Sequence, residues 1–263
     1  MGNMAIIVSS AISSTKHKFQ MIPWWLWLFQ IACTSFFCMF FFALMSDFAD
    51  NPDVTVRYVV IGNVVQSIAM TTLYAISEQS GTEKHMGTLS SLMQTPASLF
   101  CVFLGMSLIN IAAGLISSGL SLCYAQFVFG IDLSGADFFS VIVVILMTVL
   151  SLAGFGMMIG SIGLRLRTAA ILANIFSYIG LLICGVNFPL SYLPEWIQAI
   201  ASIFPLTYAV KAMRGASDGL GLSAISDDLL MMLILGAVYF VISVLLFGMF
   251  ERKARKLGTY DMF

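Results

Sequence analysis

Residues 138–164 read FFSVIVVILMTVLSLAGFGMMIGSIGL, a run of 27 positions without Asp, Glu, Lys or Arg. About 20 apolar residues in a helix cross the roughly 30 Å hydrocarbon core of a bilayer. The run is too continuous for the alternating pattern of a membrane β-barrel, and unpaired backbone groups are costly in lipid, which favours a helix. We therefore predict a transmembrane helix over residues 138–163.

Long charge-free runs recur along the chain, which is 60% hydrophobic and only 10% charged over its 263 residues. Soluble domains average roughly 45 to 50% apolar residues, so this composition cannot make a water-exposed surface. We predict an all-α integral membrane protein with one domain, 1–263. Its six predicted transmembrane helices cover residues 24–46, 56–77, 97–129, 138–163, 168–188 and 229–250, with Pro96 ending the connection before the third.

Basic residues indicate the orientation, because Lys and Arg near helix ends are retained on the cytoplasmic side. With both termini cytoplasmic, the inner segments hold nine of the 12 basic residues. Only Arg57, Lys211 and Arg214 fall outside. The nine inner basic residues are Lys16, Lys18, Lys84, Arg165, Arg167, Arg252, Lys253, Arg255 and Lys256.

Three further segments are predicted outside the spans. Residues 3–22 have apolar positions at helical spacing followed by Lys16 and Lys18, which is typical of an interfacial helix on the inner leaflet. Residues 78–96 form an inner connection, and residues 191–204 form a short extracellular helix. The first apolar run follows a polar stretch and is too long for a cleavable signal peptide, so we expect it to remain as an anchor.

Polar residues lie on one face of two predicted spans. Asn63, Gln66 and Met70 share a face of the second, and Asn174 and Tyr178 share a face of the fifth. Such faces turn away from lipid, and either line a pathway or join helices.

The fourth span carries Gly156 and Gly160, a Gly-x-x-x-Gly spacing that permits close helix approach.

Several chemistries are disfavoured. The spans hold no carboxylate or histidine for an ion relay, although a sodium site made of backbone carbonyls would escape this test. No Gly-Lys pair exists, so any ATP must bind a partner. His17 and His85 lie outside the predicted hydrocarbon region, and we expect no catalytic or metal site. The five cysteines lie in apolar runs and are expected to pack as small hydrophobes. A net charge of −1 gives no support for nucleic acid binding.

Two motifs resemble the ABC-2 type exporter permeases. The first is Glu83-Lys-His-Met-Gly87-Thr-Leu, followed by Gln-Thr-Pro96, on the inner side. The second, on the outer side, comprises Gly185-Val-Asn-Phe-Pro-Leu, Leu193-Pro-Glu-Trp-Ile and Pro205-Leu-Thr-Tyr-Ala-Val, with Arg214 after it. Together with six crossings, the resemblance covers essentially the whole chain. Ser90 departs from it, because the family often has an acidic residue after Gly-Thr-Leu.

The resemblance implies two permeases, as a homodimer or heterodimer, and two cytoplasmic ATPase subunits that bind ATP and Mg. It implies no cofactor in this chain. Residues 78–91 would be a coupling helix docked into the ATPase, with Leu89, Leu92 and Met93 filling a groove on that partner. The coupling residues would be Glu78, Glu83, Lys84, Gly87, Thr88 and Leu89.

The resemblance further implies export of an amphipathic drug, antibiotic, lipid or glycan across a prokaryotic plasma membrane. The pathway would be lined by Asn63, Gln66, Met70, Asn174 and Tyr178. Two alternatives stay open: an ion-coupled secondary transporter, and a membrane scaffold or immunity protein that moves no substrate.

Overall fold

The computed structural model describes residues 2–49, 51–95, 97–165 and 169–257, and these form helices without a strand among them. The helices are α1 Asn3–Met21, α2 Trp24–Ala49, α3 Val56–Ile68, α4 Tyr74–His85, α5 Thr88–Gln94, α6 Leu99–Phe127, α7 Phe138–Arg165, α8 Ala169–Ile183, α9 Glu195–Ala201, α10 Pro205–Ser217 and α11 Ser226–Leu257.

Within the described residues, five helical stretches are long and apolar enough to cross a membrane. They are Trp24–Ala49, Val56–His85, Leu99–Phe127, Phe138–Leu164 and Ser226–Ala254. A sixth apolar stretch, Ile171–Ile183 in α8, is shorter. The all-helical membrane class predicted from the sequence is therefore confirmed.

The second span is the most enclosed of the five, whereas α2 and α11 are mostly exposed. It is continuous from α3 to α4 through one π-helical segment, Ala69–Leu73. The Thr72 hydroxyl, buried in this segment, donates a 3.3 Å hydrogen bond to the Asn110 carbonyl of α6. Because π segments inside α-helices often occur at functional sites, this part of the span is of particular interest.

Close approach of α7 to its neighbours depends on glycines, which have no side chain to separate the helices. A Cβ added at Gly156 would lie 3.1 Å from the Leu73 carbonyl oxygen, and one at Gly160 would lie 3.3 Å from that of Ile76. The predicted role of this glycine pair in close helix packing is confirmed, with the α3–α4 span as the partner. On another face of α7, a Cβ at Gly154 would lie 2.8 Å from the Gly236 carbonyl oxygen of α11.

The N-terminal helix α1 packs across the first part of α6. A Cβ at Gly105 would overlap the Ile7 carbonyl oxygen and lie 2.9 Å from the Ser10 Cβ. Farther along α1, Phe19 contacts the Trp27 ring edge-on with a centroid distance of 5.5 Å. Helix α1 therefore packs against both α2 and α6.

Between α8 and α11 the chain forms more helices than the single one predicted at 191–204. A 3₁₀ turn covers Leu190–Tyr192, α9 follows, and α10 was not predicted at all. Prolines explain the division, because Pro194 and Pro205 lack the N–H that an interior helical position donates. Pro205 instead occupies the first turn of α10, where a missing N–H costs nothing.

Candidate functional site

The turn between α4 and α5 is set by a glycine and a threonine. Gly87 has φ +71°, in the left-handed region that other residues adopt at a cost. Thr88 then begins α5, and its hydroxyl donates to the Glu83 backbone oxygen at 3.0 Å and to the Glu83 carboxylate. The Gly-Thr pair therefore fixes a sharp corner on the surface.

The residues predicted to contact an ATPase differ in exposure. Gly87 and Thr88 are exposed, and Glu83 and Lys84 are partly exposed. Leu89 is only 5% exposed, so it cannot contact a partner as predicted.

The prediction that Leu89, Leu92 and Met93 fill a groove on a partner is wrong for the two buried ones. Met93 is 4% exposed, and with Leu89 it belongs to an internal cluster of this chain. Leu92 packs against the same cluster and is partly buried. The other members, drawn from the spans, include Ile76, Leu99, Phe103, Met157, Leu164 and Phe247. The apolar side of α5 thus connects the loop to α4, α6, α7 and α11 of the same chain.

Glu78 lies apart from this corner, in the wall of a cavity of about 400 Å³. The cavity lies among α1, α2, α6, α8 and the second span beside its π segment. Two residues of the predicted pathway, Met70 and Asn174, line it. The other polar lining residues are Lys18, Gln30, Thr34, Thr71, Tyr74 and Asn110.

Polar groups in the cavity wall are mutually connected. The Tyr74 side chain interacts with both Glu78 and Asn174. Elsewhere in the lining, Lys18 Nζ donates to Asn110 Oδ1 at 3.1 Å. Trp27 and other apolar side chains fill the remaining wall, so the cavity can accept a molecule with both polar and apolar parts.

Asn63 and Gln66, also predicted on the pathway, are fully enclosed within this chain, at 2% and 0% exposure. Asn63 Nδ2 donates to Asn187 Oδ1 at 2.8 Å and to the Val59 carbonyl at 2.9 Å. Gln66 Nε2 donates to the Ser177 carbonyl at 3.4 Å. These amides join the second span to α8 and to the segment after it.

Tyr178, the last predicted pathway residue, is 58% exposed on α8. It lies one helical turn beyond Asn174 and does not line the cavity. The predicted pathway residues therefore fall into three environments, and the structure brings only Met70 and Asn174 together at the cavity.

Two cationic residues were not recognised from the sequence as site residues. Lys18 appeared only as a flanking charge, although its position before the tryptophans was a usable signal. Arg214, on α10, donates to the carbonyl oxygens of Gly185 and Val186 at 2.8 and 2.9 Å. Burial lowers the Arg214 pKa to about 10, so the guanidinium stays charged at neutral pH. Its role depends on tertiary contacts that no local pattern reveals.

Metal-binding clusters of three or more His, Cys, Asp or Glu do not occur among the described residues. The cysteines described are free thiols, and Cys101 and Cys184 are buried. The candidate site has two parts, which are the exposed turn between α4 and α5 and the amphipathic cavity.

Comparison with known proteins agrees with this architecture. The chain is 24% identical over 161 residues, 60% of its length, to two proteins named "Probable multidrug ABC transporter permease YbhR", from Escherichia coli K12 and from E. coli O157:H7. The match takes in 43% of each relative, so the chain covers less than half of their length. Residues 4–217 match the ABC-2 type transporter family. The chain therefore belongs to the ABC-2 type transporter family and is a multi-pass membrane protein.

Proposed function

We propose that this chain is the membrane-spanning permease subunit of an ATP-driven exporter that moves an amphipathic substrate out of the cytoplasm or the inner leaflet. The observation that carries the proposal is the family match over residues 4–217. A cavity with both polar and apolar walls supports the substrate class, and the multidrug permease relatives agree with it. ATP and Mg bind a separate ATPase subunit, present in two copies beside two permeases.

The proposed topology has six crossings with both termini in the cytoplasm of a prokaryotic cell. The sixth crossing is α8, whose 15 described residues rise about 22 Å as a helix. Five crossings would put Lys16 and Lys18 on the opposite side from Arg252 and Lys253, against the preference of basic residues for one side. Six crossings leave α9 and α10 on the outer side.

Transmission of movement is proposed to start at the α4–α5 corner. The second span is helical from Val56 to His85, 30 residues, or about 45 Å in length. A push on its inner end is therefore carried as a rigid-body movement past the cavity. Because Leu89 and Met93 share an internal cluster with side chains of α7 and α11, displacement of α5 would disturb the packing of those helices as well.

The partner surface proposed here is the exposed side of the corner. Met86 is 45% exposed, and His85, Thr88 and Ser91 are exposed beside it. Apolar and hydroxyl groups at a protruding turn suit insertion into a cleft of the ATPase. Glu83, which is partly exposed, contributes charge at the rim of this surface.

The proposal is tested by purifying the tagged full chain in mild detergent from its own host and identifying co-purified proteins by mass spectrometry. A stoichiometric soluble protein with a nucleotide-binding loop is expected, and Met86→Glu should release it. Leu182→Ala, at a 58% exposed position on α8, is the matched control that should retain it. A chain that purifies alone and transports under an ion gradient would contradict the proposal in favour of a secondary carrier.

A further inference from the structure

Lys18 lies in the wall of the amphipathic cavity with an unusual set of neighbours. Its Nζ donates to the neutral Asn110 amide at 3.1 Å and lies 5.2 Å from the centroid of the Trp27 ring. Both neighbours also line the cavity. The ammonium group has three donors and no acceptor of its own, so it has capacity for a further ligand.

Lys18 has no carboxylate partner in an ion pair within the residues that the structure describes. Among the residues that the structure describes, the ion pair found is between Arg57 and Asp218, on another part of the molecule. Glu78 lies in the same cavity wall but interacts with Tyr74. Burial lowers the pKa of Lys18, as expected of an ammonium group removed from water without a counter-ion. A partly buried cation of this kind is stabilised by an anionic ligand.

The depth of Lys18 suggests where that ligand resides. The lysine comes six residues before Trp24, and the side chains of Trp24 and Trp25 are 63% and 57% exposed at the start of the first span. Tryptophans at a span end favour the headgroup level of a membrane. Lys18 therefore lies where lipid phosphates and carboxylates are found.

The rest of the cavity continues away from that level along α2. From Trp27 to Thr34 the lining advances by seven residues, or about 10 Å along the helix. Ile31, Met70 and Ala113 supply apolar wall in this part. The cavity thus carries one cation, Lys18, and one carboxylate, Glu78, and has both polar and apolar wall beyond Trp27.

We propose that Lys18 and Asn110 form the headgroup site for an anionic membrane amphiphile, with a phosphate or carboxylate at Lys18 and its hydrocarbon part along Ile31 and Met70. The occupant is either a resident anionic lipid or a transported molecule of the same chemistry. The second identity rests on the proposed export function, and the first does not.

Binding is tested with the full chain carrying Trp24→Phe, Trp25→Phe and Trp196→Phe, all exposed positions, so that Trp27 alone reports. The variant is reconstituted in phosphatidylcholine vesicles containing dibrominated phosphatidylglycerol, or the same fraction of dibrominated phosphatidylcholine. We expect stronger quenching of Trp27 by the anionic lipid, since Trp27 lines the cavity and is otherwise only 8% exposed.

Lys18→Met should remove the preference for the anionic lipid, because one lysine near a membrane surface contributes about 1 kcal/mol, or about fivefold in affinity. Lys18→Arg should retain it. Lys16→Met is the matched control, since Lys16 is exposed on the same helix. The proposal would be overturned if both lipids quenched Trp27 equally in the protein that keeps Lys18. It would also be overturned if Lys16→Met and Lys18→Met reduced the preference for the anionic lipid equally.

The two sources of the ligand are separated by adding the ATPase. The complex is reconstituted with fluorescent NBD-phosphatidylglycerol, and dithionite measures which leaflet holds the dye. ATP-dependent movement that Lys18→Met slows identifies a transported ligand, whereas Lys18-dependent binding without movement identifies a resident lipid, and both support the site. If the Trp27 protein shows no preference for the anionic lipid while ATP-dependent export continues, this inference alone is overturned. If the preference is present but no partner ATPase exists, the export proposal alone is overturned.

Discussion

The guanidinium of Arg214 lies against the face of Tyr58, with the Arg214 Cζ 3.4 Å from the ring centroid. The same guanidinium donates to the carbonyl oxygens of Gly185 and Val186 at 2.8 and 2.9 Å. Tyr58 contacts the same segment, since its hydroxyl donates a hydrogen bond to the Gly185 carbonyl at 3.3 Å. One side chain of α10 thus joins α3 to the segment after α8.

Replacing Arg214 should loosen this junction. Arg214→Met removes hydrogen bonds from a charged donor, each about 1.5 to 3 kcal/mol, and a cation–π contact worth up to about 2 kcal/mol when desolvated. We expect the midpoint of thermal unfolding in detergent, followed by size-exclusion chromatography, to fall by several degrees. Lys211→Met on the exposed side of α10 is the control and should change little. Equal midpoints for the Arg214 variant and the unmodified chain would contradict this role.

The amides of buried Asn63 and partly buried Asn187 should be energetically coupled. Interhelical hydrogen bonds in membrane proteins average about 0.6 kcal/mol and reach about 1 to 2 kcal/mol. A double-mutant cycle with Asn63→Val and Asn187→Val, measured by reversible unfolding in mixed micelles, should give a coupling energy of this size. Additive effects of the two substitutions would show that the 2.8 Å contact contributes nothing.

Filling the contact between α7 and the second span should be destabilising. Gly156→Val adds a side chain where a Cβ alone would lie 3.1 Å from the Leu73 carbonyl and 3.2 Å from the Ile76 Cβ. Overpacking of this kind costs about 1 to 3 kcal/mol. The control is Gly119→Val on α6, where an added Cβ meets nothing within 4 Å. Comparable unfolding midpoints for the two variants would contradict the close-packing account.

The corner at Gly87 should be needed for coupling rather than for insertion. Gly87→Pro cannot adopt φ +71°, because proline fixes φ near −65°. We expect membrane insertion to persist and substrate-stimulated ATPase activity of the complex to be lost. Leu89→Asp should additionally lower thermal stability, since it places a carboxylate in an internal cluster. Normal stimulation by the Gly87 variant would show that the corner is not the coupling element.

The crossing of α8 can be tested by chemical labelling. In a cysteine-free chain, Glu195→Cys should react with a membrane-impermeant maleimide added outside cells. Thr82→Cys should react only after permeabilisation. Both side chains are exposed in the structure, so accessibility within the fold does not limit either reaction. Protection of position 195 in intact cells would contradict the six-crossing topology.

Sequence patterns predicted the features that depend on local composition. The charge-free run 138–164 corresponds to α7, because lipid demands a continuous apolar helix. The Gly156 and Gly160 pair was recognisable for a similar reason, since close helix approach in a membrane depends on small residues.

Other features depend on tertiary contacts and were missed. Helix α10 contains two basic residues, Lys211 and Arg214, and a sequence with such charges does not suggest a buried helix. The structure explains the burial, because backbone carbonyls far away in the sequence accept hydrogen bonds from the Arg214 guanidinium. Likewise, Leu89 in a polar loop gave no local sign that it belongs to an internal cluster with Phe247 and Leu164. The cavity was only partly anticipated, because Lys18 reaches it from a helix predicted to lie apart on the membrane surface.

ATP-driven export is tested most directly by ATP-dependent uptake of an anionic amphipathic fluorescent dye into inside-out vesicles that contain the chain and its co-purified ATPase. We expect uptake that requires ATP and Mg, persists when ion gradients are collapsed, and is lost in the Gly87→Pro variant. Uptake that follows an ion gradient and ignores ATP would contradict ATP-driven export.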